Sequence, residues 1–142
     1  MNNPLRDIRQ ILINAGITQT IVIDDFVVSS NPTITNNQVN IESEPSPRVG
    51  INQHARTIIF SIYNRNMSKD TAFETSKIIF KKLNNYFGNL GTADSVRFHR
   101  IACITPPYIY NTSGRTANHT IMYLSRYEAV INDTEITSIY RA

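Results

Sequence analysis

Arg56–Leu83 reads RTIIFSIYNRNMSKDTAFETSKIIFKKL, and this stretch decides the fold. Its first part alternates with a period of two. Ile58, Phe60 and Ile62 point one way, and Ile59, Ser61 and Tyr63 the other. The first face is wholly apolar and is predicted to lie against helices. The period then changes. Ser68 is a predicted N-cap, with Asp70 placed to complement the positive end of the helix dipole. A helix is predicted from there to about Tyr86, with Gly88 ending it. Ala72, Ser76, Ile79, Phe80, Leu83 and Phe87 form its apolar stripe, while Lys77, Lys81 and Lys82 fall on a solvated face.

Working outward toward the N-terminus, Asn3-Pro4 reads as a helix start, because proline at the first turn lacks only an N–H that would be unpaired anyway. Leu5, Ile8, Leu12 and Ala15 recur at helical spacing and are expected to face the core. Arg6 and Asp7 are expected on the solvated side, and Gly16 is the predicted stop. A strand follows over about Gln19–Ile23. Asp24 and Asp25 then break the apolar run. Neighbouring strand residues face opposite ways, so the pair does not converge on one ion and reads as a strand-end turn. Residues 29–56 form a long polar connector. Val39 and Ile41 alternate with polar residues and predict a short strand within it, while Pro45 and Pro47 exclude a central ladder around them.

Toward the C-terminus, SVRFHRIACIT (95–105) and TIMYLSRYEAVIN (120–132) read as two antiparallel strands. In the first, Val96 and Phe98 alternate with Arg97 and His99. In the second, Ile121, Tyr123, Tyr127, Ala129 and Ile131 share one face, and Met122, Leu124, Arg126, Glu128 and Val130 the other. PPYIYNTSGRTANHT (106–120) joins them as a hairpin arm, its two prolines ending the first strand. The segment DTEITSIYRA (133–142) carries Ile136, Ile139 and Tyr140, to add a short strand or to pack on a neighbour. The order α-β-β-β-α-β-β predicts an α+β domain: a mostly antiparallel or mixed sheet with two helices on one face, and the other face left for solvent or another subunit.

The totals agree with a single domain. A chain of 142 residues buries roughly 70% of its unfolded surface, enough for one core. A net charge of +3 is too small to argue for nucleic acid as a partner. No stretch approaches the ~20 apolar residues of a membrane span, and the N-terminus lacks the apolar run of a signal peptide. The single cysteine, Cys103, lies in an apolar strand pattern and reads as a small buried hydrophobe rather than a reactive thiol. His54, His99 and His119 share no ligand spacing, and no phosphate loop or nucleophile elbow is present. The sequence therefore predicts no enzyme, no metal and no cofactor. No helix carries a basic stripe, so specific nucleic-acid readout is not expected either.

The chain from about Ile21 to Ile131 resembles small bacteriophage proteins of the tail-terminator or minor capsid kind. The likeness is carried by the order of three features: IVIDDFVVSSNPTITNNQVNIESEPSPR, TIIFSIYNRNMSKDTAFETSKIIFKKL and the closing ITPPYIY…GRTANHTIMYLSRYEAVI. The resemblance implies a virion protein made in the host cytoplasm. It implies a homo-oligomeric ring, a hexamer, that caps the tail tube, stops its polymerisation and meets a head-completion or neck protein. Genomic DNA would pass through the lumen without sequence-specific binding. A head-completion protein is the nearest alternative; a small motif-free enzyme and a nonspecific nucleic-acid-binding module are the rivals from other classes. The interface residues expected are Tyr108, Tyr110, Asn111, Arg115 and Asn118 on the arm, with Asp25 and Arg48 on the connector side.

Overall fold

The computed structural model describes residues 4–24, 38–44, 56–91, 96–110 and 121–132. Its elements are α1 (Pro4–Asn14), β1 (Thr20–Asp24), β2 (Gln38–Glu44), β3 (Arg56–Asn66), α2 (Lys69–Leu83), β4 (Arg97–Ile109) and β5 (Ile121–Asn132). The predicted α+β class and element order are the observed ones. The five strands form one mixed sheet in the order β1-β2-β3-β5-β4. β1 and β2 run parallel, and the other three pairings are antiparallel. A parallel pair needs a long connection between its strands, and β1 and β2 are far enough apart in the chain to allow one.

Both helices lie on the same face, as expected. The core beneath them joins Leu5, Ile8, Ile11 and Leu12 of α1 to Ile79 and Leu83 of α2, across Ile41, Phe60, Ile62, Tyr127, Ala129, Ile131 and Ile101 of the sheet. Phe60 and Tyr127, on adjacent strands, stack with ring centroids 5.4 Å apart. Ile58, Phe60 and Ile62 take the orientation the alternation predicted, and so do both faces of β5.

Four local expectations are corrected. Asp7 is buried, not solvated. Its carboxylate accepts the backbone N–H of Val96 at 2.7 Å, which ties α1 to the start of β4. The second helix ends at Leu83 rather than near Tyr86, because the chain leaves it to pair with β4. Asn85 takes φ 67, and its N–H donates to Ile101 O at 2.7 Å. Gly88, expected to end the helix, instead exchanges both backbone hydrogen bonds with Phe98. Phe87 leaves the stripe with it and is 77% exposed. Finally, Pro106 and Pro107 do not end β4. The strand runs through them to Ile109 with one register shift just before them, between Cys103 and Thr105, and one across them, between Thr105 and Tyr108, and Tyr110 N–H still reaches Met122 O at 2.8 Å. β4 is an edge strand, so prolines there cost no ladder bond on a second side.

The helix-free face also differs from the open surface expected. Asn40, Glu42 and Arg65 are each only 1% exposed, and Tyr63, Met122 and Leu124 form a second small apolar cluster with Tyr110 against it. The centre of this face is thus buried within the chain itself.

Candidate functional site

The surface best suited to a partner lies on the α2–β4 side. α2 buries Ala72, Thr75, Ser76, Ile79 and Leu83. That leaves Phe73 and Ile78 on its outer surface, 48% and 41% exposed. Phe73 reaches toward Tyr123 of β5, with centroids 6.3 Å apart, and Lys77 lies over its ring at 5.1 Å. Lys77 also pairs with Glu74 at 3.3 Å. Between α2 and the far half of β4 opens a groove of about 190 Å³, lined by Phe73, Ser76, Lys77, Phe80, Lys81 and Pro107. Its walls are aromatic and aliphatic, and two lysines stand at its rim.

The edge of β4 beside this groove is divided. Residues Asn84–Gly88 cover its first half: Gly88 bonds Phe98, Tyr86 O accepts Ile101 N–H at 2.9 Å, and Asn84 Oδ1 accepts Cys103 N–H at 3.1 Å. No such bond extends to Thr105–Ile109 among the described residues. There the two prolines remove N–H donors, which blunts a free edge against strand-to-strand pairing. Tyr108 is exposed on this half, and Ile104 just before it.

On the helix-free face, Glu44 organises a polar cluster. Arg126 donates to it through Nε and Nη2, each at 2.9 Å, and Ser61 Oγ donates to the same carboxylate. The Arg126 hydrogen bonds hold the Glu44 carboxyl below its usual range, opposed by partial burial. On the same face, burial lowers the pKa of the Arg65 guanidinium, and the charge of Glu42 opposes this in part. Planar two-point contacts of this kind fix geometry more than they add stability at a half-exposed site. Glu44→Gln is therefore expected to cost about 0.5–1 kcal/mol at pH 7. A lowered carboxyl pKa stabilises above the unfolded value and is lost as pH falls through the folded one. The difference between the parent and Glu44→Gln should accordingly begin to shrink as pH falls past the unfolded carboxyl value, about 4.3, and vanish only below the lower folded value, in urea titrations.

Of the residues expected at an interface, Tyr108 is exposed on β4. Tyr110 is half-buried and packs edge-on against Tyr63, centroids 5.8 Å apart, so it anchors the start of the arm to its own sheet. Asn111, Arg115, Asn118, Asp25 and Arg48 lie outside the described residues, as does the arm from residue 111 to residue 120. Cys103 is half-buried against the core, and burial pushes its thiol pKa up, as for an inert sulfur. Among the described residues no group of His, Cys, Asp and Glu is placed to hold a metal ion. No described helix is long and apolar enough to cross a membrane.

The sequence reading missed Phe73 and Pro107 as facing walls, and Glu44 with Arg126 as partners. The outward position of Phe73 is readable from helical spacing, one residue off the buried stripe. Its pairing with Pro107 is not, because it depends on β4 continuing past Pro106. No protein-family model matches the chain, and no curated protein matches it.

Proposed function

We propose that this protein is a structural component of a bacteriophage virion, a tail terminator that assembles as a homo-oligomeric ring on the tail tube and joins it to the neck. The observation that carries this reading is the apolar groove beside the exposed half of the β4 edge. An aromatic-walled surface on one side of a small domain suits a head-to-tail contact, in which one patch meets a different patch on the next copy. The element order supports it as well, since it follows the order of features on which the resemblance rests. In this reading the far half of β4, with Tyr108, and the arm beyond it point toward neighbouring proteins along the tail. Genomic DNA passes through the ring without specific contacts, in keeping with the small net charge of +3.

The test is to mix the purified chain with tail tubes of the same virus and image the tube ends. Rings at the ends, with tube growth arrested, are the expected result. Tubes that keep growing with bare ends would overturn the proposal. Tyr108→Glu should leave the far-ultraviolet circular dichroism unchanged while reducing the capped fraction, because Tyr108 is exposed and its replacement leaves the core intact.

A further inference from the structure

We propose that Phe87, with Arg97 and Arg100 of β4 beside it, forms a contact site for single-stranded nucleic acid, in which the ring stacks on an unpaired base and the arginines take the flanking phosphates. This goes beyond the ring reading and does not depend on it.

The local backbone gives the first argument. Residues 85–90 run along the β4 edge and are fixed there on both sides of Phe87. Tyr86 O accepts Ile101 N–H at 2.9 Å, and Gly88 exchanges hydrogen bonds with Phe98 at 2.8 and 2.7 Å. Side chains in this stretch alternate as in a strand. Tyr86 and Leu90 pack against the core, and Tyr86 meets Phe98 edge-on with centroids 5.9 Å apart. Asn85, Phe87 and Asn89 are exposed. Phe87 is thus held outward, and its 77% exposure is the highest of the large apolar side chains described. A ring ordered before contact loses little freedom on binding.

Charge gives the second. The total of +3 conceals an uneven distribution, because residues 75–110 carry Lys77, Lys81, Lys82, Arg97 and Arg100 against one acid, Asp94. Phe87 sits where the two arginines come together. Its bonded neighbours pair with Phe98 and Ile101, which puts Phe87 level with His99 and Arg100. Arg97 pairs with Asn132 and Arg100 with Val130, so both lie on the side away from the core-facing Phe98, Ala129 and Ile131. Phe87, next to the core-facing Tyr86, shares that side. Arg97, His99 and Arg100 are all exposed. Arg100 Nη2 reaches Asn85 Oδ1 at 3.5 Å, which keeps the guanidinium over this edge with its other N–H groups available to a phosphate. Glu128, exposed on the same face, stands opposite Ala102, on the side of Arg100 away from Arg97.

The third argument selects the occupant. An aromatic anchor of a protein interface sits in a patch of other apolar side chains. Phe87 is the one exposed large apolar side chain among the described residues of 84–100, and its company is cations and amides. One aromatic face among groups that hold phosphates is a stacking platform, indifferent to the identity of the base. A duplex keeps its bases stacked on one another, so an unpaired strand is what offers a base to Phe87.

The experiment is fluorescence anisotropy of the full chain with labelled oligothymidine of about 20 nucleotides, longer than the roughly 4–16 that a small binding fold covers. Binding at low salt is expected, tighter than to a duplex of the same length. Phe87→Ala should weaken it about ten-fold and Phe87→Trp should keep it, with both variants unfolding at the parent's denaturant midpoint because the side chain is exposed. Arg97→Gln with Arg100→Gln should weaken binding and flatten its logarithmic salt dependence by about 1.4, two phosphates at about 0.7 each. No binding, equal binding by Phe87→Ala, or a duplex bound as tightly as the single strand would each overturn the proposal. Polyglutamate bound as tightly as oligothymidine would overturn it in favour of an acidic protein partner.

Discussion

Tyr127→Ala is expected to lose about 3–5 kcal/mol of unfolding free energy, while Tyr127→Phe is expected to be at least as stable as the parent. Tyr127 is fully buried in the central strand pair of the sheet and stacks on Phe60 at an interplanar angle of 22°. Truncation removes the stack and leaves a cavity between both helices and the sheet. Close packing lets that space collapse only in part, which is why aromatic-to-alanine changes sit at the upper end of core substitutions. The hydroxyl behaves oppositely. It is buried with no hydrogen-bond partner among the described residues, although the Ser125 side chain lies near enough to favour its ionised form slightly. Removing a desolvated donor while keeping the ring costs nothing and can add up to about 1 kcal/mol.

The same residue sets an alkaline limit. Burial pushes the Tyr127 pKa well above the usual phenol value. An acid whose folded pKa is raised stabilises fully below its unfolded pKa, near 10, and less as pH climbs above it. Each further pH unit then favours the unfolded chain by about 1.4 kcal/mol, until the folded group ionises too. Tyr86 is raised in the same direction, also by burial, and adds to the trend. Denaturant titrations at pH 9 and pH 11 should show Tyr127→Phe losing less stability than the parent between the two. Equal losses would mean that the hydroxyl is solvated.

These expectations bear on how much of the fold was legible before it was seen. The period-two pattern of β3 and the switch of period after Ser68 were sufficient for the α+β class, because each follows from one element's own geometry. So were the two faces of β5. The misreadings share a different cause: each depended on which distant strand lay alongside. Asp7 looks like any first-turn acid of a helix until Val96 N–H is brought against it, 89 residues away. Gly88 looks like a helix stop until β4 offers Phe98. Two consecutive prolines look like a strand end, and would be one in a central strand; on the β4 edge they serve as protection against pairing. The candidate site was legible in part. Tyr108 and the lysines of α2 stand out in the sequence, but only tertiary placement of Pro107 opposite Phe73 and Phe80 turns them into a groove.

Asn64 shows the limit of the polarity pattern most sharply, and Asn64→Leu is expected to cost about 2–4 kcal/mol although it makes β3 more regularly apolar. Asn64 follows Phe60 and Ile62 on the core-facing side and is 1% exposed. Its Nδ2 donates to Ala72 O at 2.9 Å and to Ser76 Oγ at 3.0 Å, and its Oδ1 accepts from Gln19 Nε2 at 3.1 Å. One amide thus joins the strand to the first turns of α2 and to the residue just before β1. Gln19 also donates to Arg65 O at 3.2 Å, so the link is doubled on that side. Leucine gains transfer energy but leaves Ser76 and Gln19 without this partner in a desolvated place, and that loss exceeds the gain because unmade buried hydrogen bonds carry the full desolvation penalty. Its branched end must also fit against the backbone of Ala72 where two donors now sit. Chemical denaturation should show the midpoint falling with an unchanged slope, and hydrogen exchange should accelerate first in residues 69–76. The companion Asn64→Leu/Ser76→Ala separates the two terms. If the hydrogen bonds carry the effect, removing the Ser76 hydroxyl as well recovers about 1 kcal/mol, since one orphaned group disappears. No recovery would assign the cost to steric fit.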